Sequence, residues 1–435
     1  MKIMGRLGQF FSGERHFRET IKGASSNFII QIAGIALGYC VVFMVSYIYG
    51  ANGLGIYTLA FAVTSVFVMF GKVGFDTAIV KLVSEYHDNN MEYLSKLFSL
   101  VAKFGVLINI TLSFMMFFLS PYIAQYIFSD PALEIYLKVM SLAIFPMAFR
   151  SIIANAFRGK GRIALYSLLQ NVYVHLVFIL VVLVLRQFSG AILYLLVSFV
   201  FSVWFVFFIG VWRWARVFGF GFYRAYDRSK IREVFGLSLP MLLNSSLVLT
   251  LTWTDSVMLG VYATSVDVGL YSAAMKMASS SLILLMAFNS ILAPKVAKLN
   301  STKSYSHIRS LVRSSNKIII PLSLVAAFFL IIFTPYVFPL FGPEFGAAYS
   351  IFIVLMCGMV VKIAFGLSEF LLQMIGHHKV VAKISILGVI INVILNAVLI
   401  PPFGGEGAAI ASSIGISSMC GLFYYYLRCR TCYSQ

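Results

Sequence analysis

The stretch "FIIQIAGIALGYCVVFMVSYI", residues 28–48, contains no charged side chain. A bilayer core about 30 Å thick is crossed by about 20 residues of α-helix, so this stretch reads as one crossing. Others follow it: residues 190–212 are uncharged, and residues 163–185 hold no Asp, Glu, Lys or Arg and only His175 among residues that charge near neutral pH. In hydrocarbon every backbone polar group must be bonded within the protein, which favours helices. The alternating pattern of a lipid-facing barrel is absent. Over all 435 residues, 60% are hydrophobic and 11% charged, and the mean hydropathy is +0.93. A soluble chain carries about a quarter charged residues. The fold class is therefore an all-α polytopic membrane protein. Its first apolar segment exceeds a signal-peptide core and lacks a small-residue cleavage site, so it reads as a retained helix.

Extending the reading gives twelve transmembrane helices, near 24–48, 56–75, 98–119, 135–157, 163–185, 190–213, 234–261, 269–293, 316–334, 347–374, 381–400 and 407–427. Lysine and arginine orient them. With a cytoplasmic N-terminus, the cytoplasmic segments hold 26 of the 33 basic residues and the outer loops hold Arg186 alone. The other six lie within spans. Such asymmetry places both termini in the cytoplasm of a multi-pass inner (plasma) membrane protein. The chain divides into a basic N-terminal segment 1–23, a lobe 24–213, a basic linker 214–233, a second lobe 234–427 and a tail 428–435. The basic N-terminal segment is suited to lie along anionic membrane lipids.

Several function classes fall away. The net charge of +18 follows the topology rather than one basic domain, which argues against nucleic acid. Five cysteines imply no disulfide framework, and Cys429 with Cys432 lacks the second pair that a zinc site needs. No loop exceeds about two dozen residues, too short for a catalytic domain. No GxxxxGK[ST] motif is present, so neither a nucleotide nor another cofactor is expected. The chain is read as a non-enzyme.

The two lobes repeat each other. "YGANGLGIYTLA" (49–60) parallels "YATSVDVGLYSAA" (262–274), with Gly55 and Tyr57 recurring 214 positions later as Gly269 and Tyr271. At the same offset Lys81 recurs as Lys295, and Pro121-Tyr122 as Pro335-Tyr336. After a small insertion the offset becomes 217, where Gly159 matches Gly376. An even number of helices per unit makes the lobes parallel, and such pseudo-symmetric halves commonly serve transporters with a mid-membrane site.

Charges inside spans are expensive, about 2.5–3.5 kcal/mol each on insertion scales, and usually face a cavity or a partner. Lys103 and Lys138 lie near helix ends and can snorkel. Lys72 has Asp76 four residues on, so it is either an ion-pair partner or a ligand group. Arg150, within "LAIFPMAFRSIIANAF" (142–157), lies too deep to snorkel easily. Lys362 lies at comparable depth in helix 10, and Lys276 two turns into helix 8. Asp255 is at a depth where it could pair with Lys276, and Glu369 follows Lys362 by two turns. Arg150, Lys362, Lys276 and Lys72 are the candidate substrate-binding residues for an anionic, phosphate-bearing substrate. Asp255 and Glu369 are the candidates for ion coupling. Asn27, Gln31, Gln170, Asn171, His175, Asn392 and Asn396 also interrupt the spans. They are suited to sugar hydroxyls or to interhelical hydrogen bonds.

In order and spacing, "GANGLGIYTLAFA" (50–62), "GFDTAIVKLVSEY" (74–86), "LSLPMLLNSS" (237–246), "VGLYSAAMKM" (268–277) and "PPFGGEGAAIAS" (401–412) resemble the O-antigen and capsule repeat-unit flippases. Those are polysaccharide flippases of the multidrug/oligosaccharidyl-lipid/polysaccharide exporter superfamily. The resemblance covers nearly the whole chain. It implies a V-shaped pair of six-helix lobes, a cavity lined largely by helices 1, 2, 7 and 8, and alternating access. It also implies an undecaprenyl-diphosphate-linked oligosaccharide as substrate, carried from the cytoplasmic to the periplasmic leaflet. Partners would be this polyprenyl-diphosphate-linked glycan, membrane lipids, and a polysaccharide polymerase and chain-length regulator. The rival readings are a drug/cation antiporter of the same superfamily, a membrane-embedded polysaccharide polymerase, and a scaffold of a glycan-assembly complex.

Overall fold

A computed structural model describes residues 2–86, 91–188, 190–218, 231–302 and 304–430. Residues 219–230 of the basic linker, Tyr223 among them, and residues 431–435 of the tail with Cys432 lie outside the described residues. So do the side chains of the N-terminal basic segment and of Asn27. Among the described residues all regular structure is helical. Among the described residues, eight helices are long and apolar enough to cross a membrane, or nine when a pair bent by 43° is taken as one span. Two expected connections account for much of the difference from twelve. Helix α1 (Lys2–Lys72) runs on through Gly50, where φ is 69°, and helix α15 (His378–Arg430) runs on through Gly404, where φ is 53°. Each pair of expected helices is thus joined by a bend at one left-handed glycine rather than by a loop.

The chain forms two compact units. The first comprises Met1–Met44, Val63–Gln125 and Asp130–Ser246. It holds α2 (Phe75–Tyr86), α3 (Met91–Tyr122), α4 (Leu133–Ser141), α5 (Ile144–Gly159), α6 (Ile163–Ser167), α7 (Tyr173–Leu185) and α8 (Ile192–Phe218). Phe75, Ile79, Leu94, Phe157 and Phe178 are fully buried at its centre. The second comprises Val45–Ala62, Tyr126–Ser129 and Leu247–Gln435. It holds most of α9 (Ile231–Tyr262), then α10 (Ser265–Ser279), α11 (Ile283–Ser301), α12 (Tyr305–Phe341), α13 (Ala348–Ala364), α14 (Ser368–Met374) and α15. Tyr271, Phe338, Phe345, Phe352 and Phe423 are fully buried there. Phe114, Phe118, Phe201 and Phe208 of the first unit, and Phe328, Phe333, Ile394 and Val398 of the second, are exposed. In water such faces would drive aggregation; against lipid chains they are at home.

Lipid gives helices little hydrophobic reason to associate, so close backbone approach between small residues matters more. The second unit shows this where the repeated segments meet. A Cβ on Gly55 would stand 1.7 Å from the Ser265 carbonyl oxygen, and one on Gly269 would stand 2.0 Å from that of Ala51. Residues 51 and 265, like 55 and 269, are 214 apart. Thr58 and Ser272, also 214 apart, share a hydrogen bond of 3.4 Å. Two copies of one segment thus cross about a local twofold, each placing its glycine on the other's backbone.

Candidate functional site

The first unit gathers its polar groups at a broken helix. Helix α1 ends at Lys72 and α2 begins at Phe75, and between them Val73 (φ 52°) and Gly74 (φ 75°) are both left-handed. Glycine tolerates this; a β-branched valine does not, at a cost of about 1–3 kcal/mol. The glycine has a second reason, because a Cβ on Gly74 would stand 2.1 Å from the Ser238 carbonyl oxygen. The break frees backbone carbonyls, and Asn109 takes one up: its Nδ2 donates to the Gly71 and Gly105 oxygens at 2.8 Å each. Lys72 and Asp76 flank the break 3.5 Å apart, the cation at a helix C-terminus and the anion at an N-terminus, the signs that the helix dipoles favour.

From Asp76 a polar chain runs inward. The Ser151 hydroxyl donates to Asp76 at 3.4 Å, and Gln170 Nε2 donates to Ser151 at 3.2 Å. Arg150 Nη1 donates to Gln170 Oε1 at 3.0 Å and to the Leu169 and Gln170 carbonyls at 2.6 and 3.1 Å. Those carbonyls belong to a π-helical turn, Leu168–Val172, whose wider winding disturbs the regular ladder. Lys72 and Arg150, singled out separately in the sequence, therefore occupy the two ends of one network. Arg150 directs Nη1 at backbone of its own unit, and its Nε is buried without a partner.

The second unit holds a buried carboxylate cage. Asp255 on α9 is 9% exposed. Its Oδ1 accepts from Asn396 Nδ2 at 2.7 Å and Asn392 Nδ2 at 3.0 Å. Its Oδ2 accepts from the Tyr271 hydroxyl at 2.6 Å and from the Ser412 hydroxyl. Asn392 and Asn396 stand one turn apart on α15 before its bend, and Ser412 lies beyond it. Two carboxamides and two hydroxyls can thus hold the charge without a cation. The expected pairing of Asp255 with Lys276 is not what the cage shows: its partners are these four neutral groups. Asn396 Oδ1 is buried with no partner. The two asparagines were legible as polar interruptions at i, i+4. Tyr271 and Ser412 were missed as ligands of the carboxylate, although Tyr271 lay within the repeated motif.

Lys276 lies in the last turn of α10, just before a 3₁₀ turn at Ser280–Leu282 that leads straight on into α11. Lys362 and Glu369 flank another break, where α13 ends at Ala364, Gly366 has φ 58° and α14 begins at Ser368. This repeats the arrangement at Lys72 and Asp76, with a lysine in the last turn before a gap and an acid in the first turn after it. Lys138, by contrast, pairs with Glu134 at 2.5 Å. Among the described residues no cluster of three or more His, Cys, Asp or Glu could hold a metal ion.

Interrupted helices with charges at their broken ends recur among secondary transporters. The lipid II flippase MurJ in an inward-closed conformation superposes with TM-score 0.73 over 94% of this chain and 88% of that one, at 17% identity. An inward-facing multidrug-resistance MATE transporter superposes with TM-score 0.76 over 94% of this chain and 98% of that one, at 14% identity. At sequence level the chain resembles the probable low-salt glycan biosynthesis flippase Agl15 of Haloferax volcanii, 24% identical over 177 residues. That match covers 40% of this chain and 38% of the relative. The profile of the polysaccharide biosynthesis proteins matches residues 20–300. The chain belongs to this family of polysaccharide biosynthesis proteins.

Proposed function

We propose that the protein carries an undecaprenyl-diphosphate-linked oligosaccharide from the cytoplasmic to the outer leaflet of the plasma membrane. Twelve crossings in two parallel six-helix lobes, with both termini cytoplasmic, would move it by alternating access. The observation that carries this reading is that two interrupted helices of a polysaccharide biosynthesis protein each set a lysine, Lys72 or Lys362, beside the interruption, and that Lys276 stands one turn before the 3₁₀ turn between α10 and α11. Lysine offers a movable point charge for a diphosphate. Lys72 and Lys276 are the groups assigned to it. Arg150 is a positioning residue that steadies Asp76, and through it Lys72, by way of Gln170 and Ser151.

Asp255 is assigned to ion coupling. Half a turn about the terminal torsions of Asn392 and Asn396 would replace amide donors with carbonyl oxygens. Together with the carboxylate and the Ser412 hydroxyl, these make an oxygen shell suited to a small hard cation. Alternatively the cage takes a proton. The unpartnered Asn396 Oδ1 supports exchange of this kind.

The second reading, a drug/cation antiporter, is favoured by the MATE superposition and by a buried aspartate. Reconstitution separates the two. A flippase transfers fluorescent polyprenyl-diphosphate oligosaccharide between leaflets and leaves cationic dyes where they are. Gradient-driven dye movement without glycolipid transfer would establish the antiporter instead.

A further inference from the structure

Within the second unit, α11, α13, α14 and α15 enclose a cavity of about 170 Å³ at the break that Gly366 makes. That is space for on the order of ten waters, far beyond the one or two that typically bridge stray polar groups. Met286, at its edge, is 62% exposed and marks a mouth. We propose that this cavity binds one acidic sugar residue of the cargo, a pyranose carrying a carboxylate; the inference rests on the glycan-flippase reading and specifies its substrate class.

The lining groups select such a ligand by their chemistry. Lys362 offers a cation, and among the described residues it forms no ion pair. Glu369, which accepts from Gln373 Nε2 at 3.3 Å, has further lone pairs for hydroxyl donors. Asn289 contributes Oδ1, a buried acceptor with no partner. Phe365 and Phe370 supply apolar walls against which the C–H face of a pyranose can pack. A neutral sugar would give Lys362 hydroxyl acceptors but no charged one. A bare phosphate would bring its charge toward Glu369 and offer few donors to the two acceptors. An anionic group on a hydroxyl-bearing ring satisfies both ends of the cavity.

The test is binding to the purified full-length protein in nanodiscs, with D-glucuronate, D-glucose and inorganic phosphate as probes. Glucuronate is expected to bind about tenfold or more tightly than glucose, the scale of a charge-assisted hydrogen bond. Lys362→Gln should erase that preference and Lys362→Arg restore it. Glu369→Gln should let phosphate compete, which the unaltered protein resists. Cys420 lines the same cavity. In a variant with every other cysteine replaced by serine, glucuronate should slow its alkylation by N-ethylmaleimide. Phosphate competing equally in the unaltered protein, glucose binding as well as glucuronate, or an unchanged Cys420 rate would each overturn the proposal. A protein that flips lipid-linked glycan yet ignores glucuronate refutes this inference alone. One that binds glucuronate but flips no glycolipid refutes the functional reading and leaves an acidic-sugar site without a cargo.

Discussion

Asp255 has exchanged water for four neutral donors, and that exchange defines its chemistry. Asparagine at this position keeps the size but removes the charge that a coupling ion would meet. Asp255→Asn is therefore expected to lower gradient-driven flipping by about tenfold or more, each factor of ten corresponding to about 1.4 kcal/mol of lost interaction. Reconstituted transport, compared at equal amounts of folded protein, checks this. Arg150 makes a different prediction. Arg150→Met would leave the Leu169 and Gln170 carbonyls short of a donor, at a cost of about 1–3 kcal/mol in stability. Thermal unfolding should register that loss, and flipping per folded molecule should fall as well, because Gln170, Ser151 and Asp76 no longer hold Lys72 in place. The depth of Arg150 was legible in the sequence. Its acceptors were not, because a π-helical turn at Leu168–Val172 has no pattern that hydropathy displays.

At the scale of elements, the breaks matter more than the helices. Val73 sits left-handed between α1 and α2. Val73→Gly should relieve that strain, opposed by the greater freedom of an unfolded glycine and by the loss of a buried isopropyl group. The two sides are of similar size, so Tm is expected to move by only a few degrees, whereas Val73→Ala, which keeps the strain and loses the packing, should lower it more. The crossing of repeated segments predicts a plain loss. Gly55→Val or Gly269→Val would drive a side chain into a carbonyl of the other copy. Either change should lower Tm by several degrees, and by similar amounts if the local twofold governs the packing. The 214-residue offset was readable in the sequence. That its two copies touch was not, since periodicity reports which residues correspond and carries no distance. The bends at Gly50 and Gly404 were missed for a related reason: a glycine with positive φ looks in sequence like any loop glycine.

At the scale of the whole molecule, composition and charge asymmetry were enough to establish an all-helical membrane protein, because the bilayer imposes length and internal hydrogen bonding on every crossing. The four basic candidates were harder. Lys72 and Arg150 proved to be ends of one chain, and Lys362 borders a cavity with Glu369, relations that depend on long-range packing. The orientation proposed from the 26-to-1 distribution of basic residues predicts that a cysteine introduced near either terminus reacts with impermeant reagents only from the cytoplasmic side of sealed vesicles. The central claim, that the protein moves a lipid-linked glycan, is tested most directly in proteoliposomes. Fluorescent undecaprenyl-diphosphate oligosaccharide is placed in both leaflets, and a membrane-impermeant quencher is added outside. With the protein present, signal from the inner leaflet should become quenchable at a rate that an imposed cation gradient raises and Asp255→Asn makes insensitive to that gradient. Quenching that stops at the outer-leaflet fraction, with or without a gradient, would contradict the account.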